Sequence, residues 1–183
     1  MKKAGDATRF FHFKIHLGNC IFVLMTLTDI ISIAPLDWYA IFSALVCGTI
    51  IGLERQLRGK PVGIRTSSLI VLGTYTFVAL SQSLNNEVTD TTRIIGQVVT
   101  GVGFLGAGVM LSKDGVVMGV TSAATIWALA AIGVCIAVAG HVVAIKLAVL
   151  VVLILVGVDI LENYSAALTR GVHSKITDWR KRR

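Results

Sequence analysis

Residues 120–161 read VTSAATIWALAAIGVCIAVAGHVVAIKLAVLVVLILVGVDIL, and this stretch decides the fold. It holds two apolar runs, Val120–Ala139 and Val142–Leu161, parted by Gly140 and His141, with Lys146 and Asp159 as its only charged residues. A helix needs about 20 apolar residues to cross a hydrocarbon core about 30 Å thick. Each run therefore has the length of one crossing, and the Gly–His pair reads as a tight turn. Working toward the N-terminus, Trp38–Leu53, Thr66–Leu84 and Ile94–Leu111 repeat the pattern. The segments are apolar all round, so helical periodicity does not discriminate. A doubly wound sheet of buried strands would need polar helices between the strands, and the sequence has none. The expected fold is all-α: a polytopic transmembrane bundle of five core helices. His16–Ala34, ended by Pro35, is the candidate for a sixth crossing, although it carries Asn19 and Asp29.

Composition agrees. Of the 183 residues, 55% are hydrophobic and 15% charged, against about 25% charged in ordinary soluble domains. The net charge of +7 is unevenly placed: of 17 Lys and Arg, six follow Leu161 and four lie between Glu54 and Arg65. Positive charge flanking apolar segments reads as membrane topology and not as a nucleic-acid surface. Cys20, Cys47 and Cys135 stand singly in apolar stretches, and the four histidines are scattered, so no metal-ligand or redox spacing is present.

The connections set an orientation. Glu54–Arg65 carries Arg55, Arg58, Lys60 and Arg65 against one acid. The tail from Glu162 is basic as well. Five crossings place both on the cytoplasmic side, with Asn85–Arg93 and the Gly140–His141 turn outside. Residues 1–36 are then an extension that is interfacial or holds a sixth crossing, or else residues 1–24 lie upstream of a true start at Met25. Residues 37–161 form the transmembrane domain and 162–183 a basic cytoplasmic tail.

Several motifs stand out. Gly48-Thr-Ile-Ile-Gly52 is a small-xxx-small strip that lets helices approach closely, within the chain or in a homodimer. Gly101-Val-Gly-Phe-Leu-Gly-Ala-Gly108 imitates a dinucleotide fingerprint, but it lies inside a span with no βαβ unit around it. Gly101, Gly103, Gly106 and Gly108 are expected instead to allow tight packing or a bend. Asp90, Arg93, Gln97 and Gly101 share one helical face; Asp90 is expected to pair with Arg93, and Gln97 to seek a partner across a helix contact. Glu54 at the membrane edge is expected to pair with Arg55, Arg58 or Arg65, and Arg65-Thr66 opens the second helix. Thr121, Ser122 and Thr125 can bond back to their helix or to a neighbour. Trp127 is deep enough that its indole N–H is expected to need an internal acceptor.

These segments together resemble the MgtC/SapB family of bacterial inner-membrane proteins. The likeness is carried by Gly52-Leu-Glu-Arg55, Gly63-Ile-Arg-Thr66, Asp90 with Arg93 and Gln97, Gly101–Gly108 and Gly119–Trp127, and it covers roughly Trp38 to Leu161. Ile64, Val120 and Ser122 depart conservatively from the usual Leu, Leu and Thr. Longer family members carry a soluble C-terminal domain, so this chain is similar to the short form. The resemblance implies a role in magnesium homeostasis and in low-magnesium or acid stress adaptation, in a family associated with virulence. It also implies contact with another membrane complex, such as the ATP synthase, and no cofactor, with magnesium as a ligand or signal.

The residues bear on mechanism too. Magnesium takes one or two carboxylates plus waters. The expected topology separates the acids: Glu54, Asp114 and Glu162 at the cytoplasmic edge, and Asp37, Glu87 and Asp90 at the outer edge. Asp159 alone lies within a span, near its end. A contact-based regulator is therefore expected ahead of a cation transporter that uses Gln97 and a broken third helix. Ser67, Ser68 and His141 are not arranged as nucleophile and base, so no enzyme is expected.

Overall fold

The computed structural model describes residues 32–84, 91–113 and 116–164. The expectations for His16–Ala34, for Asp90 and for the basic tail therefore fall wholly or mainly outside the described residues. Met1–Asp37 is a unit by itself; its described part is a turn in which the Leu36 N–H bonds the Ile33 carbonyl at 2.8 Å, with a cis Ala34–Pro35 bond.

The second unit carries the five expected core helices: α1 Trp38–Leu57, α2 Ile64–Ser83, α3 Thr91–Gly108, α4 Val120–Ala139 and α5 His141–Tyr164. Four of them, α1, α2, α4 and α5, are long and apolar enough to span a membrane. Helix α3 has 18 residues, about 27 Å of rise, and falls short in apolarity because Thr91, Thr92, Arg93, Gln97 and Thr100 interrupt it. The protein is thus a polytopic membrane-spanning helical bundle.

Two sequence expectations are corrected. Helix α1 does not end at Leu53 but runs to Leu57, so Glu54 and Arg55 stay helical and buried. The third helix stops at Gly108 and does not reach Leu111. Leu111–Lys113 and Val116–Met118 form a small antiparallel hairpin, with Leu111 opposite Met118 and Lys113 opposite Val116. Four glycines in the last eight residues of α3 weaken its end, and Val116-Val117 favours a strand.

The turns explain the helix ends. Gly59 takes φ 61° and closes α1 in a Schellman arrangement: its N–H bonds the Gln56 carbonyl at 3.1 Å and the Lys60 N–H bonds the Arg55 carbonyl at 2.9 Å. The chain returns through Val62, whose φ of 69° is costly for a β-branched residue. Its buried side chain and the bond from Ser67 Oγ to its carbonyl at 3.2 Å hold it there. Gln56 Oε1 accepts the Ile64 N–H at 3.3 Å across the same loop. At the start of α4, Gly119 has φ 89° and sits against the Val109 carbonyl. Gly119→Ala combines left-handed strain with that clash and should destabilise the protein by about 1–3 kcal/mol, read as a lower unfolding temperature in detergent.

Packing follows the small residues. Lipid gives helices no hydrophobic reason to associate, so backbone proximity decides. Helix α4 lies at the centre and touches the other four helices. Helices α1 and α2 meet through Gly48 and Gly52: a Cβ at Gly52 would fall 2.5 Å from Ile64 Cα, and one at Gly48 would strike Ser68 Cα. Helices α2 and α4 meet at Gly133, where a Cβ would fall 2.7 Å from both Thr74 Cβ and the Val71 carbonyl. Helix α5 packs on α1 and α4 and buries Ala144 and Ala148. Its remaining apolar face, including Leu150, Leu153 and Ile154, is exposed, as suits a lipid-facing helix.

Candidate functional site

One end of the bundle gathers Glu54, Arg55, Arg58 and Asp159. Glu54 is only 8% exposed and Arg55 only 4%. Arg58 Nε lies 2.6 Å from Glu54 Oε1, and Arg58 Nη1 also pairs with Asp159 Oδ2 of α5. The approach to Glu54 is an ion pair without an aligned hydrogen bond, and Glu54 Oε2 has no partner among the described residues. Arg55 turns the other way and donates from Nη2 to Ser122 Oγ at 2.7 Å, in the first turn of α4. This node ties the end of α1 to α4 and α5 with two positive and two negative charges. Of the three partners expected for Glu54, the structure selects Arg58. It brings Ser122 across to a neighbouring helix, one of the two roles open to it, and adds Asp159, to which no spacing in the sequence pointed.

A second feature lies on the other side of the bundle. Helices α2 and α3 enclose a groove of about 700 Å³. Arg65, Thr66, Leu69, Gly73 and Phe77 line one wall, and Ile94, Gln97, Gly101 and Leu105 the other. Arg65, Thr66 and Gln97 are exposed and supply its polar groups; the rest of the lining is apolar apart from Thr74.

The remaining candidates are dispersed. Asp90 lies outside the described residues, and Arg93 is exposed near the start of α3. The α3 glycines do not pack as a set. Only Gly106 meets a neighbour, the Cβ of Ala123, at an ordinary 3.7 Å, whereas Gly101, Gly103 and Gly108 face open space. Helix α3 shows no break between Thr91 and Gly108. Thr125 is buried and donates back to the Thr121 carbonyl at 2.8 Å, while Thr121 itself is exposed. Trp127 is 56% exposed and points out of the bundle, contrary to the expected internal acceptor. Among the described residues, no three His, Cys, Asp or Glu side chains are grouped to hold a metal ion.

A five-helix membrane bundle with a charged node at the α1 end and a glycine-rich third helix matches a known family. The MgtC family profile covers residues 41–164, and the chain belongs to that family. It is 47% identical over 100 residues to the protein named "Putative magnesium transporter YhiD" of Escherichia coli K12, covering 51% of this chain and 46% of that one. It is 43% identical over 111 residues to an uncharacterized protein of Haemophilus influenzae, covering 54% and 47%. It is 42% identical over 91 residues to protein MgtC of Brucella abortus strain 2308, covering 50% and 38%. The chain thus spans about half the length of these relatives or less. No solved structure matches it.

Proposed function

We propose that the chain is a bacterial inner-membrane regulator that acts through contact with another membrane protein complex, the ATP synthase being one candidate, in magnesium homeostasis and in adaptation to low magnesium or acid. Its C-terminus and the loop of residues 58–63 lie in the cytoplasm in this reading, as the placement of Lys and Arg favours.

The observation that carries the reading is the outer face of α3. Gly96, Thr100, Gly103 and Ala107 recur at helical spacing on one side of the helix, and all four are exposed. A Cβ at Gly96 or Gly103 would meet nothing within 4 Å. Small residues facing lipid serve nothing in the isolated bundle, but they let a partner helix approach closely. The charge distribution supports the same side: Glu54 and Asp159 converge on Arg58 at one end, so these carboxylates neutralise an arginine and do not line a passage.

A photo-cross-linking residue at Phe104, 79% exposed beside this strip, tests the proposal in cells grown at low magnesium. A second membrane protein should be captured, and Gly103→Leu should abolish the capture. The competing reading is cation transport, with Gln97 on the path. Magnesium flux into liposomes that disappears in Gln97→Ala, together with no cross-linked partner, would establish transport in its place.

A further inference from the structure

We propose that the groove between α2 and α3 is a binding site for one anionic phospholipid, with the headgroup on Arg65 and Thr66 and an acyl chain running toward Phe77. This goes beyond the contact role assigned to α3, because the groove and the strip Gly96, Thr100, Gly103 and Ala107 lie on different faces of that helix. Ile94, Gln97, Gly101 and Leu105 line the groove; none of them belongs to the strip.

Three observations converge on a lipid. The first is shape. Arg65 and Phe77 stand twelve residues apart on α2, about 18 Å at the helical rise. Half of a hydrocarbon core about 30 Å thick is about 15 Å. The groove therefore begins at the headgroup level of one leaflet and runs a little past the midplane, within the reach of one acyl chain. The second is the floor. Gly73 and Gly101 line opposite walls, and a Cβ at either would meet nothing within 4 Å. The two helices have the small residues that would let them close on each other, yet the space stays open and apolar.

The third is charge. Arg65 is exposed at the groove mouth, and among the described residues no Asp or Glu lines the groove. The N-cap of α2 is Gly63, which offers no side-chain acceptor. Gln56 serves the Ile64 N–H alone. The Arg65 and Thr66 amides lie in the first turn, where no intrahelical acceptor exists. A guanidinium, a hydroxyl and two helix N-terminal amides at one mouth match a phosphodiester. Lys60 is exposed on the adjoining loop and adds to the positive field.

The occupant is a phospholipid and not a free phosphate, because the apolar groove adjoins the headgroup site. The test uses the full chain in mild detergent with an equimolar mixture of phosphatidylglycerol and phosphatidylcholine, with bound lipid counted by native mass spectrometry. Phosphatidylglycerol should be retained about tenfold over phosphatidylcholine, one charge-assisted contact in magnitude. Arg65→Gln should remove that preference and Arg65→Lys should keep most of it, while Lys146→Gln, a cation elsewhere on the bundle, should leave it intact. Gly73→Leu and Gly101→Leu enter open space, so the fold should survive, as unchanged helical circular dichroism would verify, while retention of both lipids falls. Inorganic phosphate in excess should not displace the lipid.

Equal retention of the two lipids by the native chain would overturn the proposal, as would an undiminished preference in Arg65→Gln. Loss of the Phe104 cross-link in the folded Gly73→Leu or Gly101→Leu protein, with lipid retention unchanged, would assign the groove to a partner helix and likewise overturn it. Failure of the cross-link in the native chain alone refutes the contact role and leaves the lipid result standing.

Discussion

The Gly48→Leu protein should fail to accumulate as a folded bundle. A Cβ at this position would strike Ser68 Cα and lie 2.7 Å from Ser68 N. Both are backbone atoms of the facing helix, so no rotamer change relieves the contact and α1 must move off α2. Overpacking in a dense core costs about 1–3 kcal/mol, occasionally more, and in lipid no water-driven term restores the pair once its backbones separate. Gly52→Ala, whose Cβ would lie 2.5 Å from Ile64 Cα, should lose about 2 kcal/mol by the same mechanism. Gly108→Ala, which enters open space, should behave like the native chain. The readout is the monodisperse fraction on size exclusion in detergent, with the unfolding temperature of what remains. Normal accumulation of Gly48→Leu would show that the α1–α2 contact is looser than described.

Arg58→Ala should produce the second large loss. It strips the counter-ion from Glu54, whose side chain is 7% exposed, and releases Asp159 on α5. The Arg58 side chain is 30% exposed and Arg55 remains beside Glu54, so the loss should fall below the about 3–5 kcal/mol of a fully buried pair, at about 1–3 kcal/mol. The diagnostic is the double variant. Adding Glu54→Gln to Arg58→Ala deletes the orphaned charge and should recover more than half of the lost stability. Equal stability of Arg58→Ala and the double variant would mean that Glu54 is solvated and that the node does not hold α1 to α5.

Much of this bundle is legible in the sequence because hydropathy over 20 residues reports directly on membrane crossing. Gly48 and Gly52 could likewise be read as a packing strip, since backbone approach needs a missing Cβ and spacing places the gaps on one face. Spacing does not tell which partner a face meets: the same pattern served equally for a homodimer until Ser68 and Ile64 appeared opposite it. The Arg55–Ser122 and Arg58–Asp159 contacts were invisible for a related reason, because each joins helices far apart in the chain. Trp127 differs from its expected placement because depth along a helix is not burial: its direction around the helix turns it outward. The α3 glycines read as a device for tight packing or a bend, yet Gly101, Gly103 and Gly108 meet no neighbour. An apolar helix in lipid carries no amphipathic signal to say which side is the inside.

The charged node also prescribes an order of assembly. Glu54 and Arg58 leave the ribosome almost together, and their pairing closes within the last turn of α1. Ser122 and Asp159 are synthesised much later, so Arg55 has to wait for α4 and the second valence of Arg58 for α5. Among the described side chains, helix α5 buries only Ala144 and Ala148, so its shape says little about where it belongs. Asp159 supplies the missing address. Asp159, on the last helix among the described residues, meets Arg58 as a partly exposed pair, so charge as well as small-residue packing ties α5 to this end, and without Asp159 the node would keep an unbalanced positive charge at the membrane edge.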